Sequence, residues 1–105
     1  MWFELRRETA PPGRGPELAQ WMLDEVIPLH QRHGMVVVGS FTDADDPDAF
    51  VWIRRFEDAE ERQTVVDRVH QDPAFDTTVG ARAGELMAGE AVTVRLVPTA
   101  GSALT

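Results

Sequence analysis

The stretch FVWIRRFEDAEER, Phe50 to Arg62, runs from a strand into a helix and seats two consecutive arginines among aromatic and aliphatic residues. Side chains alternate across a strand, so Phe50, Trp52, Arg54 and Phe56 share one face while Val51, Ile53 and Arg55 share the other. The two arginines therefore meet different surroundings. Asp58 stands at the N-cap position of the helix that follows, and Val65, Val66 and Val69 carry its apolar pattern until Pro73 forbids continuation.

Upstream, MVVVGSFT is β-branched and aromatic and predicts a strand, joined to the one at Phe50 by the polar turn DADDPDA. Before it, Leu18, Trp21, Met22, Val26 and Leu29 recur at helical spacing between Glu17 and His33. Pro16 is tolerated in the first turn, Pro28 should kink the last turns, and Gly34 supplies the stop. WFELRRET alternates as the first strand and PPGRGP breaks it. Downstream, Phe75 to Gly89 predicts a loop and short helix, and EAVTVRLVP the last strand. Residues 1–98 form one domain and 99–105 a loose small-residue tail. The order β-α-β-β-α-β predicts an α+β fold: a ferredoxin-like sandwich with one four-stranded antiparallel sheet and both helices on one face.

A chain of 105 residues buries roughly two thirds of its unfolded surface, enough for one modest core. The net charge of −8 excludes the clustered positive field that nucleic acid requires and disfavours anionic membranes. No apolar run is long enough for a membrane span or a signal-peptide core, and the chain opens directly as a strand, so a cytoplasmic location is expected. The absence of cysteine removes disulfides, thiolate metal sites and a Cys nucleophile. All ten basic residues are arginine, which removes lysine chemistry and fits a GC-rich bacterial coding bias.

Strict alternation places Phe3, Leu5, Val36, Val38, Val51, Ile53, Val92, Val94 and Leu96 on one face of the sheet. That aliphatic face is expected to carry the helices, with Arg7 and Arg55 reaching out beside it to helix acids such as Glu60 or Glu61. The other face would hold Trp2, Glu4, Arg6, Met35, Val37, Phe41, Phe50, Trp52, Arg54, Phe56, Thr93 and Arg95. So many aromatics on an open face exceed what a soluble monomer tolerates, so a second copy stacked face to face is expected to cover them.

The segments FELRRET and PPGR, then HGMVVVGSFT, FVWIRRFEDAEER and DPAF, resemble the NIPSNAP family from Phe3 to about Phe75. The resemblance implies a ferredoxin-like protomer in a dimeric α/β barrel, with a small-molecule cavity more than a defined reaction. Glu8 stands where the family commonly has an aromatic, Phe75 where tryptophan is frequent, and DPDAF where a Gly/Asn-containing turn is usual.

On such a scaffold Glu4, Arg6, Arg54 and Arg95 form a polar cluster with Phe41 and Trp52 as aromatic walls, suited to a small aromatic or acidic ligand. A second reading is a cofactor-independent oxygenase or isomerase, with His30 as the base, Arg54 holding the anion and Trp52 as the wall. A third is a structural or adaptor dimer whose Glu–Arg network closes the interface without ligand. His30 and His33 lack a third ligand at a recognisable spacing, so no metal is expected. The Asp43, Asp45, Asp46 and Asp48 cluster lacks the glycine and distant glutamate of an EF-hand loop and is a solvated turn. Related barrels that degrade haem pair a first-strand Asn with a His on the helix after the third strand. Here Glu4 and Arg6 occupy that strand and His70 lies at the helix's far end, so no cofactor is expected.

Overall fold

The computed structural model describes all 105 residues. In order, they form β1 (Trp2–Thr9), α1 (Gly15–Trp21), a π-helical turn (Met22–Val26), α2 (Ile27–Arg32), β2 (Val36–Asp43), β3 (Asp46–Phe56), α3 (Ala59–Gln71), a second π-helical turn (Phe75–Val79), α4 (Gly80–Leu86) and β4 (Val92–Leu96). The strands pair antiparallel in one sheet, β2-β3-β1-β4. This is the ferredoxin-like α+β arrangement expected from the element order. No helix is long and apolar enough to cross a membrane.

Local chemistry fixes the elements. The Asp48 carboxylate accepts from the N–H groups of Gly13 and Gly15 at 3.1 and 2.9 Å, tying the start of α1 to β3. Gly15 must be glycine because a Cβ there would sit 1.8 Å from the Pro47 carbonyl oxygen. Pro28 has no N–H to give the fourth residue before it, and just ahead of it the ladder slips to a π turn in which Ile27 N–H bonds Met22 O. Gly34 ends the helix at a φ of +96°, as its position predicts. Asp58 caps α3 by accepting from Glu61 N–H at 2.8 Å.

The register sorts the sheet into rows. On one face lie Val36, Arg55, Phe3 and Leu96; then Gly39, Ile53, Leu5 and Val94; then Phe41, Val51, Arg7 and Val92. On the other lie Val37, Arg54, Glu4 and Arg95, then Ser40, Trp52, Arg6 and Thr93, with Phe56 beside Trp2 at one end and Phe50 beside Glu8 at the other.

The helices cover the second of these faces, not the aliphatic one. Trp2, Phe50, Trp52 and Phe56 form one buried cluster with Leu18, Trp21, Met22 and Leu29 from the first helical segment and Val65 and Val69 from α3. The reason is volume. α3 offers only valines, so the sheet must supply the large side chains that fill the gap between the layers. The aliphatic face is left open, with Val36, Phe41, Val92, Val94 and Leu96 all exposed. Phe3 is deeply buried on it, beside a shallow hollow also lined by Ile53, Leu96 and the tail residues Thr99, Ser102 and Leu104.

Two further placements are corrected. A bulge between Val37 and Gly39 reverses the alternation of β2, so Phe41 joins Val51 on the open face and its ring lies over Gly39. Arg7 and Arg55 are likewise on the open face. Arg7 bridges Asp43 and Asp46 at 3.4 and 3.0 Å, and Arg55 pairs with Glu57 at 2.7 Å, not with Glu60 or Glu61.

Candidate functional site

Between the sheet and the helices lies a cavity of about 280 Å³, built entirely by one chain. Its floor is the second face of the central strands: Arg6 and Glu8 of β1, Trp52 and Arg54 of β3. One wall is Trp21, Val26 and His30; the other is Arg62, Val66 and Val69 of α3. The second π turn, through Phe75 and Val79, and α4 close the end. Both π turns thus border the cavity, a setting in which such turns recur.

Arg54 is the polar centre. Its guanidinium lies 4.9 Å from the Trp52 ring centroid and donates from Nη2 to Glu4 Oε1. The same carboxylate accepts from Arg62 Nε at 2.9 Å. Glu4 and Arg54 are both buried, so each requires the other. Burial first, then repulsion by Arg62, lowers the pKa of Arg54 to about 10, which leaves it a cation at neutral pH. Nearer the mouth, Arg6 Nε donates to the buried carboxylate of Glu8 at 2.5 Å.

His30 faces this cluster from α2, its ring edge-on to Trp52 with centroids 5.2 Å apart. Nδ1 lies 2.7 Å from the Val26 carbonyl oxygen, which can only accept, so Nδ1 carries the proton. In the neutral ring Nε2 is then the basic nitrogen. Burial lowers the His30 pKa below its usual value, and Arg6, His70 and His33 push the same way.

That shift has a signed consequence. Below the ordinary histidine pKa of about 6.5 the unfolded chain takes up a proton that folded His30 resists, so stability falls as pH drops below that value. In urea titrations His30→Gln is expected to lose less stability than the parent between neutrality and mildly acidic pH. An unchanged slope would place the ring in contact with water in the folded state.

Trp21 Nε1, Trp52 Nε1, Arg54 Nε and Glu25 Oε2 are buried without a hydrogen-bond partner. An unmatched buried donor or acceptor costs roughly 1–3 kcal/mol. Trp21, Trp52 and Arg54 all line the cavity, and Trp21 with Glu25 also lines a separate hollow.

Of the residues singled out in the sequence, His30, Arg6, Trp52 and Arg54 line the cavity, and Glu4 stands behind it holding Arg54 and Arg62. Two do not reach it. Phe41 is on the open face, and Arg95 is exposed on the edge strand, its guanidinium 4.1 Å over the Trp2 ring. Trp21, Glu8 and Arg62 were missed. Glu8 continues the alternation of Glu4 and Arg6, and Arg62, Val66 and Val69 follow i, i+4, i+7 spacing, a helical stripe readable in the sequence. No group of three or more His, Asp or Glu side chains is placed to hold a metal ion.

No protein-family model matches the sequence. No curated protein is similar to it. Among solved structures, a NIPSNAP family protein of unknown function from Agrobacterium tumefaciens superposes with a TM-score of 0.88 at 24% identity, covering 100% of this chain and 94% of its own. An uncharacterized NIPSNAP domain protein from Burkholderia xenovorans does so at 0.84 and 20%, covering 97% and 98%. An antibiotic biosynthesis monooxygenase lies further off, at 0.67 and 16%, covering 94% of this chain and 99% of its own. At these identities the likeness is one of fold, and that fold is the one the NIPSNAP resemblance implied.

Proposed function

We propose that the protein is a homodimer in which each protomer binds one small aromatic or acidic molecule in its own cavity between sheet and helices. The observation that carries this is the cavity itself, a mostly apolar space walled by Trp21 and Trp52 and bordered by the guanidinium-bearing residues Arg6, Arg54 and Arg62. Its volume, about 280 Å³, lies just below the range of roughly 300–1,000 Å³ typical of ligand pockets, as suits a small ligand. The flat walls of Trp21 and Trp52 suit an aromatic ring, and the arginines suit a carboxylate or oxyanion. The homodimer is supported by the open aliphatic face, whose exposed side chains a second copy would cover through a two-fold axis.

Tryptophan fluorescence tests the ligand site directly, because two of the three tryptophans line the cavity. Benzoate, salicylate and simple phenols are expected to quench it saturably, one per protomer. Ala83→Phe, which fills the cavity from α4, is expected to weaken that binding by about tenfold or more, equivalent to 1.4 kcal/mol. A parent protein that no member of the series quenches saturably, or a filled variant that binds as well, would leave the third reading: a dimer with a structural role.

A further inference from the structure

We propose that the molecule bound in the cavity carries an apolar extension of roughly three carbons beyond its ring and acid group, seated under α4, with Ala83 setting its length. This rests on the cavity being a ligand site and adds the second half of the ligand: an alkyl-substituted aromatic acid, not a bare one.

Volume calls for the extension. A dry apolar cavity of about 150 Å³ is enough to hold benzene. This one measures about 280 Å³. A bare benzoate would leave much of it unfilled, and apolar walls that face a void forfeit their dispersion contacts. If each further group takes about the 30 Å³ of a water molecule, the space beyond the ring holds the acid group and roughly three carbons.

Polarity says which side receives them. The charged side chains that border the cavity, Arg6, Glu8, Arg54 and Arg62, come from the sheet and from the N-terminal half of α3. Arg6 and Glu8 are closed on each other, whereas Arg54 and Arg62 share the single carboxylate of Glu4, so the positive excess lies at the Arg62 end. Further along α3 the same stripe turns to Val66 and Val69, and beyond it Phe75, Val79 and α4 bring no charged group to the cavity. His70 borders that side too, but it is exposed and its ring is stacked on Phe75 with centroids 4.6 Å apart. An acid group at Arg62 therefore directs a substituent para to it toward α4.

The residues that α4 and its end turn to the cavity are Gly80, Ala83 and Met87, at i, i+3 and i+7, while Arg82 and Glu85 pair outward with Glu17 and Arg14. Gly80 is fixed by the π turn before it, because a Cβ there would lie 2.9 Å from the Phe75 carbonyl oxygen. Met87 is a flexible wall that refits to what lies against it. Ala83, between them, leaves the room that a larger side chain would take, so its size decides how long a substituent fits.

The test is a series of 4-alkylbenzoates read by tryptophan quenching on the full-length protein. Affinity is expected to rise roughly fourfold per carbon from benzoate to 4-propylbenzoate, as for a buried methylene, and to have fallen again at 4-hexylbenzoate. 4-Carbamoylbenzoate, close to 4-isopropylbenzoate in size, is expected to bind about tenfold more weakly than it, because its amide finds no partner under α4. In Ala83→Val the ratio of the affinities for 4-propylbenzoate and benzoate is expected to drop about tenfold. Gly84→Ala, on the exposed side of α4 with nothing within 4 Å of the added methyl, is expected to keep that ratio. Saturable quenching by benzoate with affinity flat across the series, still rising at 4-hexylbenzoate, or matched by 4-carbamoylbenzoate would overturn the inference and leave the ligand site standing. An unchanged ratio in Ala83→Val, or an equal drop in Gly84→Ala, would also overturn it, because Ala83 would not meet the substituent. Absence of quenching by every member of the series and by salicylate would overturn the ligand site itself.

Discussion

Replacing Arg54 with alanine is expected to lower the unfolding free energy by about 3 kcal/mol or more, the cost of stranding a buried charge partner. Arg55→Ala is expected to cost about 1 kcal/mol or less, as for an exposed ion pair. The two residues are adjacent, yet Arg54 is buried against Glu4 under the helices, whereas Arg55 lies on the open face with Glu57, which is itself exposed. Without Arg54, Glu4 keeps only Arg62, which approaches from the half-exposed side of α3. The loss also removes the guanidinium packed between Trp52 and Phe56, so part of the cost is packing. Chemical denaturation of both variants makes the comparison. A double variant, Glu4→Gln with Arg54→Met, is expected to recover part of the stability, because no unpaired charge then remains. Equal losses from the two single substitutions would mean that Glu4 does not depend on Arg54.

The contrast between these arginines was legible in the alternation of β3, but which side each would face was not. Alternation gives two faces and no label for inside. An all-aliphatic face is the usual choice for packing on helices, and here that choice fails because Val65, Val69 and Val79 reach too short a distance to fill the interlayer space. Trp52 and Phe56, among the largest fully buried side chains, fill it instead. The charges on that face come as pairs, Glu4 with Arg54 and Glu8 with Arg6, each directly opposite or two residues along a strand. Such pairing is a sign that charges can be buried, and it was present in the sequence. Phe41 was misplaced for a different reason: a bulge at Val38 depends on how β2 meets β3, and strict alternation within β2 carries no trace of it. The stops at Gly34 and Pro73 and the cap at Asp58 were legible because each acts through its own backbone or nearest neighbours. The placement of the candidate residues was legible only in part. His30, Trp52 and Arg54 meet as expected, but within one protomer, where the expectation had placed them between two.

Leu5→Asp is expected to convert the proposed dimer to monomers while leaving ligand binding intact. Leu5 sits in the middle row of the open face, opposite Ile53 on one side and Val94 on the other. A two-fold dimer formed through this face would bury two unpaired carboxylates, one from each copy. At about 3 kcal/mol for each uncompensated buried charge, the dissociation constant would rise by roughly four decades. Ser40→Asp, on the opposite face of the edge strand β2 and exposed, is expected to change little. Sedimentation velocity at micromolar concentration reads the assembly of all three proteins. A monomeric parent would refute the dimer, and a dimeric Leu5→Asp variant would show that another surface makes it. The same samples then separate assembly from the site. Every residue lining the cavity comes from one chain, so a monomeric variant should still show saturable quenching by aromatic acids with unchanged affinity. Loss of quenching on dissociation would mean that the second copy shapes the cavity after all, through the two central strands whose opposite faces carry Leu5 and Arg54.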